Sequence, residues 1–347
     1  MEKILAILFV ENDGSLANPA LETAGAARQL SQALGGAPWM VGLVGPSTEA
    51  AAAQLAGCGA TRFLQITSPE LAQARHATDV MAAEAIARTA EPTLILAPAT
   101  SRANRILPAL AHRLKGCVDT HITALTAEGG QITATRWFYR QRMEANFRRN
   151  RRPWCLALET GCFPTVQAQG APVQLESVPV PASGWNTRTQ VTGFAAPAAD
   201  AQTIRPDAEL LFVAGAGWTK KQADGQPHVP EAEKLILDFL RLTRASLGSS
   251  KSLVDLSGEG QAVLSFLTHL NQIGQTGSTP RHPKGLATCC HGEEPHTVGW
   301  RFITERRAIN LDPNCGWARG KADVLYVADA FAVMRKVNEM LAATAKA

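Results

Sequence analysis

Short apolar runs alternate with alanine-rich helical patterns over the first 114 residues of the chain. Runs at residues 4–10, 39–44, 62–65 and 93–97 predict strands, whereas residues 21–34, 50–56, 72–89 and 102–114 have helical periodicity. Such an alternation predicts a parallel sheet with helices on its faces. From about residue 122 the pattern becomes β-rich, with predicted strands at 131–139, 154–159 and 174–180. The fold class is therefore α/β.

A second α/β pattern follows a stretch rich in proline, alanine and glycine. The 347 residues are enough for two domains with cores of their own. An apolar strand at 209–214 enters a glycine turn, and residues 230–246, 261–270 and 331–343 predict helices. We expect an N-terminal α/β domain over 1–193, a linker over 194–206, a Rossmann-like (doubly wound) domain over 207–335 and a tail over 336–347.

The composition is that of an ordinary globular protein. No run of 18 apolar residues occurs, and the first strand has no basic leader, so we expect a cytoplasmic protein without membrane insertion. The 7 cysteines form no CxxC pair and no metal-ligand spacing, and their odd number favours a reducing compartment. The pair Cys289-Cys290 is disfavoured as a redox or metal site because neighbouring side chains point apart on a strand.

Seven arginines fall within residues 136–152, among several aromatic residues. Such a mixture is also found in nucleic-acid-binding proteins. The favoured interpretation is a surface of alternating strands whose arginines face solvent, an acidic partner or an anionic cofactor. These arginines are Arg136, Arg140, Arg142, Arg148, Arg149, Arg151 and Arg152.

Three glycine- or proline-bearing turns near the end of the chain indicate a nucleotide site. Residues 271–277 read NQIGQTG, residues 291–296 read HGEEPH and residues 308–313 read AINLDP. The glycines around Gln275 and Thr276 let the backbone approach a phosphate. Ligands of open parallel sheets bind at the carboxyl ends of the strands, and the strand ending at Val213 leads to Gly215-Ala216-Gly217 at such an edge. Taken alone, the turn at 310–313 is better explained as structural.

The order and spacing of these turns, with Val327-Ala328-Asp329-Ala330-Phe331 after them, resemble the flavin-binding domain of the electron transfer flavoprotein α subunit. Residues 9–16 and 94–100 are similar to that family's opening strand and its ILAPAT segment. The resemblance implies an electron carrier rather than a substrate-converting enzyme, in which FAD is bound by the second domain. It also implies a heterodimer with a β-type subunit, a flavin dehydrogenase as donor, and a quinone oxidoreductase or iron–sulfur protein as acceptor.

The resemblance assigns FAD contacts residue by residue, and it implies no catalytic residue and no metal site. Ser250 and Lys251 lie in a segment similar to the family's GASRA, His296 would lie beside the pyrimidine edge of the flavin, and Asn310 and Asp329 would hold the adenosine end. The full set is Gly215, Gly217, Ser250, Lys251, Ile273, Gly274, Gln275, Thr276, His291, Gly292, Glu293, Glu294, Pro295, His296, Asn310 and Asp329.

Two departures from the family pattern keep other functions open. Ala216 stands where relatives have an arginine, and Glu293 and Glu294 stand where relatives have uncharged residues. The missing guanidinium and the added carboxylates would lower the flavin potential unless Lys220, Lys221 or Lys251 compensate. The alternatives are a non-redox scaffold or adenine-nucleotide-binding subunit, and a subunit of an electron-bifurcating complex. The sequence leaves the identity of the donor dehydrogenase open.

Overall fold

The chain consists of two compact units, residues Met1–Ala195 and Ala196–Ala347. The structure is a computed structural model, and it describes residues 2–138, 143–170, 173–179, 184–193, 204–205, 208–255, 262–273, 281–289, 303–314 and 322–344. Within that part of the chain, no helix has the length and apolar character needed to cross a bilayer.

The first unit is built on one large sheet, which confirms the predicted α/β class. Its described strands follow the order β7-β6-β5-β8-β4-β1-β2-β3-β9. Neighbouring strands are parallel except that β6 is antiparallel to both β5 and β7. The elements are β1 (Ile4–Phe9), α1 (Asn18–Ala33), β2 (Trp39–Gly45), α2 (Glu49–Gln54), β3 (Arg62–Thr67), α3 (His76–Ala90), β4 (Leu94–Pro98), α4 (Ser101–Arg113), β5 (Cys117–Glu128), β6 (Gln131–Phe138), β7 (Met143–Phe147), β8 (Trp154–Leu158) and β9 (Leu175–Ser177).

The central strands carry apolar side chains on both faces because helices cover both faces of the sheet. Strand β1 is buried along its whole length. Its residues Ile4, Ala6 and Leu8 pack with α1 and α2. The alternate residues of β1 pack with α3 and α4 on the other face. The continuous apolar run at the amino terminus is therefore explained by two hydrophobic cores that share one strand.

A segment that follows β8, residues 164–169, packs tightly against α1 and the turn after α2, and we call it the strap. A Cβ atom at Gly25 would lie 1.8 Å from the carbonyl oxygen of Pro164, and one at Gly57 would lie 1.5 Å from that of Gln169. Two backbone hydrogen bonds hold the strap: Val166 N–H donates to Leu21 at 3.3 Å and Gln169 N–H donates to Ala56 at 2.7 Å. The strap leads the chain to β9 at the far edge of the sheet.

Buried ion pairs fix the helices and strands of the first unit. Asp79 is fully buried, and its two carboxylate oxygens accept from Arg102 Nε at 2.9 Å and Nη2 at 2.7 Å. Asp119 accepts two hydrogen bonds from Arg149, at 2.9 and 2.8 Å. It also accepts from Trp154 Nε1 at 2.9 Å. These carboxylates are therefore neutralised inside the fold.

The arginine cluster at 136–152 contains several side chains with partners in the chain itself. Besides Arg149, Arg152 pairs with Glu2 at 2.6 Å and Arg151 donates to the Lys115 carbonyl at 2.8 Å. Arg136 instead stacks on Phe138, with 4.5 Å between the guanidinium carbon and the ring centroid. Arg140 and Arg142 lie outside the described residues. Among the described arginines, Arg148, Arg149 and Arg151 are exposed, whereas Arg136 and Arg152 are half-buried.

The second unit is a parallel sheet with the described strand order β11-β10-β12-β13-β14. Helices α5 and α7 cover one face, and they pack with Phe212, Trp218 and Leu247. The opposite face carries Leu211, Val213 and Ile273. The elements are β10 (Leu210–Ala214), α5 (Val229–Thr243), β11 (Ser246–Ser249), α6 (Lys251–Asp255), β12 (Lys284–Thr288), β13 (Glu305–Asn310), β14 (Val324–Val327) and α7 (Ala330–Thr344).

Two of the predicted helices in this unit need correction. The helix expected over 230–246 ends at Thr243, where Arg244 takes a left-handed conformation with φ of 54°, and strand β11 follows. The helix expected over 261–270 is wrong for its described part, because Thr268 instead caps a short 3-10 turn at His269–Asn271. Most of the expected tail from residue 336 belongs to α7.

Candidate functional site

The strand order of the second unit creates a crevice between β10 and β12. The chain moves from β10 to β11 on one side and then returns to β12 on the other. In open α/β sheets, ligands bind at such a reversal, outside the carboxyl ends of the strands. Strand β10 ends at Ala214 and β12 ends at Thr288, so the reversal lies beside these two residues.

The glycine turn after β10 is attached to β12 through its backbone. Gly215 N–H donates to the Thr288 carbonyl at 2.8 Å, and Gly217 N–H donates to the Cys289 carbonyl at 2.9 Å. Residues Ala216–Thr219 then form a 3-10 turn. Both glycine N–H groups are thus occupied by protein acceptors, and an anion at this turn needs other donors.

Trp218 anchors the same turn from inside. Its indole Nε1–H donates to Thr288 Oγ1 at 2.8 Å, and the Thr288 hydroxyl donates to the Val213 carbonyl at 3.0 Å. The indole ring packs against Phe331, with 4.6 Å between ring centroids. Sequence reasoning missed this residue, although an aromatic side chain directly after a glycine turn was the available signal.

A cavity of about 240 Å³ lies at the carboxyl ends of β10, β12, β13 and β14. It contains three residues of the predicted FAD site, Gly217, Asn310 and Asp329, although these are far apart in sequence. Its complete lining is Gly217, Lys220, Lys221, Gln222, Ala223, Cys289, Asn310, Leu311, Ala328, Asp329 and Ala330. The fold therefore gathers part of the predicted site around one cavity.

Asn310 and Asp329 also have local structural roles. Asn310 is buried, and its Oδ1 accepts from Asp312 N–H at 3.2 Å, which closes the turn after β13. Asp329 Oδ1 accepts from Phe331 N–H at 2.9 Å and so caps α7. The cap uses one of the two carboxylate oxygens. Asp329 can therefore hold α7 in place and still present an acceptor to a ligand.

Lys220 and Lys221 give the cavity its positive charge. Both side chains are exposed, and neither has an ion-pair partner among the described residues. Asp329 lines the same cavity but lies beyond ion-pair distance from both ammonium groups. The cavity thus combines two unpaired cations with one carboxylate.

Three other predicted residues lie along the same sheet edge but outside the cavity lining. Ser250 is buried, its N–H donates to the Ala214 carbonyl at 2.9 Å and its Oγ accepts from Leu253 N–H at 3.4 Å. Ile273 N–H donates to the Ser249 carbonyl at 3.1 Å, which places residue 273 beside β11. Gly215 lies between these residues and β12. These three residues lie at the carboxyl end of the sheet, on the side of β11.

Of the remaining predicted residues, the structure describes only Lys251. Lys251 is the first residue of α6 and does not line the cavity. Outside the described residues lie Gly274, Gln275, Thr276, His291, Gly292, Glu293, Glu294, Pro295 and His296.

Cys289 contributes a thiol to the cavity lining, in a left-handed backbone conformation with φ of 56°. Burial, followed by the nearby Asp329 carboxylate, raises the pKa of this thiol well above its ordinary value. A thiol with a raised pKa is a poor nucleophile and a poor metal ligand. Within the described part of the chain, no group of His, Cys, Asp and Glu side chains could hold a metal ion.

Comparison with known proteins gives one family match. The model of the electron transfer flavoprotein domain matches residues 4–183. That span covers more than half of the 347 residues. The chain belongs to the electron transfer flavoprotein family. No curated protein sequence matches the chain significantly.

Membership in the electron transfer flavoprotein family indicates a role in electron transfer. Members of this family generally bind flavin and work with other electron-transfer proteins, typically a second subunit. The matched residues lie in the first unit, whereas the cavity lies in the second. The function of the second unit is therefore inferred from its own fold and cavity, because the family match does not extend to it.

Proposed function

We propose that this protein is an α-type electron transfer flavoprotein subunit that binds FAD in its second unit. It would take electrons from a flavin dehydrogenase and deliver them to a quinone oxidoreductase or an iron–sulfur acceptor. The observation that carries the proposal is the cavity that joins Gly217, Asn310 and Asp329 at the carboxyl ends of a parallel sheet. A site of this kind suits a dinucleotide.

The residues of the second unit would bind and orient the cofactor, and bound FAD would supply the redox chemistry. Asp329 would accept hydrogen bonds from hydroxyl groups of the adenosine end, because one of its oxygens is not needed by the cap of α7. Trp218 and Thr288 would keep the Gly215–Gly217 turn fixed against β12. Thr276 and His296 would contact the flavin end, as the family resemblance implies.

The partner would be a β-type subunit, and the surface around Arg136 is a candidate for its association. Arg136 stacks on Phe138 and has no ion-pair partner among the described residues. An acidic partner surface would then bind more weakly at high salt. We expect Arg136→Ala to lower the salt dependence of this association and to leave the flavin content unchanged.

The first experiment is an absorption spectrum of the chain purified with its β-type partner, followed by stepwise reduction. We expect a flavin spectrum that bleaches on reduction and returns on oxidation, with one FAD per heterodimer. A colourless heterodimer that also fails to take up added FAD would contradict the proposal.

A second candidate is a subunit that binds adenine nucleotides and has no redox role. It is favoured by Ala216, which is 1% exposed and places no cation in the site. The same purified heterodimer distinguishes the two candidates, because this candidate would bind ADP and would reject FAD.

A further inference from the structure

We propose that Lys220 and Lys221 bind the phosphate groups of the nucleotide and so replace the positive charge that position 216 lacks. The inference deepens the proposed function, on which it rests for the identity of FAD as the nucleotide. The chemical class of ligand is a nucleoside diphosphate, either as part of FAD or as a free nucleotide.

Position 216 contributes no charge to the cavity. Ala216 is 1% exposed, and its carbonyl accepts from Thr219 Oγ1 at 3.2 Å. The methyl group lies inside the unit and does not line the cavity. Charge neutralisation of a bound diphosphate must therefore come from elsewhere.

The backbone of the Gly215–Thr219 turn has few N–H donors left for a ligand. Besides the two glycine N–H groups, Trp218 N–H donates to the Gly215 carbonyl at 3.3 Å and Lys220 N–H donates to the Gly217 carbonyl at 3.4 Å. Glycine-rich turns usually bind phosphates through such N–H groups. At the turn after β10, side chains therefore have to supply the phosphate donors.

Two lysine side chains are available at the cavity. Lys220 and Lys221 line the cavity directly after the turn, and neither ammonium group is neutralised by a carboxylate of the described residues. An ammonium group brings a full charge and three donors, which match phosphate oxygens. Asp329, in the same cavity, suits the hydroxyl groups of a ribose.

The test compares two double variants of the full-length chain. Lys220→Gln with Lys221→Gln removes both charges from the cavity but keeps most of the side-chain length. Lys234→Gln with Lys336→Gln removes two charges from exposed positions on α5 and α7, outside the cavity, as the matched control. Calorimetric titration with ADP, adenosine and FAD at low and high salt gives the affinities.

We expect the cavity variant to bind ADP and FAD at least about tenfold more weakly, with adenosine affinity unchanged and with a smaller salt dependence. The control variant should bind all three ligands as the wild type does. Circular dichroism spectra equal to those of the wild type would show that the variants are folded.

The failures of the two proposals are distinguishable. If the wild type binds FAD and the cavity variant binds ADP and FAD equally well, the lysine assignment is overturned and the FAD proposal stands. If the wild type binds ADP through the lysines but rejects FAD, the lysine assignment stands and the FAD proposal fails. A wild type that binds neither ligand overturns both.

Discussion

The charged groups of the two units are used in different ways. In the first unit, Asp79 and Asp119 are buried and each is held by an arginine with two hydrogen bonds. In the second unit, Lys220 and Lys221 border a cavity and have no such partner among the described residues. Arg102 and Arg149 thus hold the fold of the first unit together, whereas Lys220 and Lys221 are available to a ligand of the second unit.

We expect substitutions of the buried ion pairs to lower stability, and substitutions of the cavity lysines to weaken ligand binding. A charge that is already neutralised inside the fold costs stability when its partner is removed. Removal of a charge that faces a cavity weakens ligand binding and changes the unfolding free energy little.

The largest effect is expected for Asp79→Ala. This change leaves the Arg102 guanidinium, whose side chain is only 17% exposed, without its carboxylate. We expect a loss of about 3–5 kcal/mol in the unfolding free energy of the first unit. Denaturant unfolding followed by hydrogen exchange reports the two units separately.

Asp238→Ala is the matched control for that experiment. Asp238 pairs with Lys234 and Arg241 on the exposed side of α5. Removal of such a surface carboxylate should cost less than about 1 kcal/mol. Equal losses for Asp79→Ala and Asp238→Ala would show that burial does not distinguish the two carboxylates.

The double change Thr276→Ala with His296→Ala addresses binding in the second unit. We expect the dissociation constant of FAD to rise by about tenfold or more, because two proposed flavin contacts are lost. The reduction potential of the bound flavin should shift as well. Titration with FAD and a redox titration measure these two quantities.

Cys289→Ser is the control for the flavin-binding variant. Cys289 lines the cavity as an unreactive thiol, and serine preserves its size. We expect nearly wild-type flavin content and potential. If the Thr276 and His296 change has no more effect than Cys289→Ser, the assignment of the flavin end is wrong.

Two fully buried tryptophans allow a direct comparison of the units. The indole N–H of Trp154 donates to the Asp119 carboxylate, and that of Trp218 donates to the neutral Thr288 hydroxyl, at 2.9 and 2.8 Å. Hydrogen bonds to charged groups contribute about 1.5–3 kcal/mol, and neutral ones about 0.5–1.5 kcal/mol. Trp154→Phe should therefore destabilise its unit more than Trp218→Phe, and equal losses would argue against the role of charge.

The smallest effect is expected from His121, at the β-bulge of β5 where the pairing with β8 shifts register. His121 Nδ1 lies 2.9 Å from Glu159 Oε2, and this hydrogen bond raises the pKa of the imidazole above its ordinary value of 6.5. Since the folded-state pKa is raised, the stabilisation is complete below pH 6.5. It is lost as the pH rises through the folded-state pKa.

The check is the melting temperature of the wild type and of His121→Gln between about pH 5.5 and about pH 8. The wild type should be slightly more stable at the acidic end, and the difference should shrink with rising pH. The effect is small because 60% of the His121 side chain is exposed and solvent screens the pair. A difference that grows with pH would contradict the assigned direction.

Strands buried on both faces were predictable from the sequence, and polar buried strands were not. β1 and β2 are continuous apolar runs, so the run itself indicates the strand. β11 contains Ser246 and Ser249, both fully buried, and a short polar strand of this kind has no apolar signal. Its position depends on pairing with β10, which only the folded sheet provides.

The candidate site was likewise predictable from the sequence only in part. Motif resemblance pointed to Gly217, Asn310 and Asp329, and the structure places all three at one cavity. The resemblance could not show that the N–H groups of Gly215 and Gly217 are occupied by the carbonyls of Thr288 and Cys289. The resemblance also assigned Lys251 to the FAD site, whereas the structure places Lys220 and Lys221, and not Lys251, in the cavity lining.

The strap sets a lower limit on the length of a fragment that folds by itself. Gly25 and Gly57 have no room for a side chain because strap carbonyl groups lie against them, so α1 and the turn after α2 are shaped to receive residues 164–169. A fragment cut after β8 would expose those two surfaces and would lack β9 at the sheet edge. The shortest self-folding piece of the first unit therefore ends beyond Ser177, more than a hundred residues after the helix that its final segment completes.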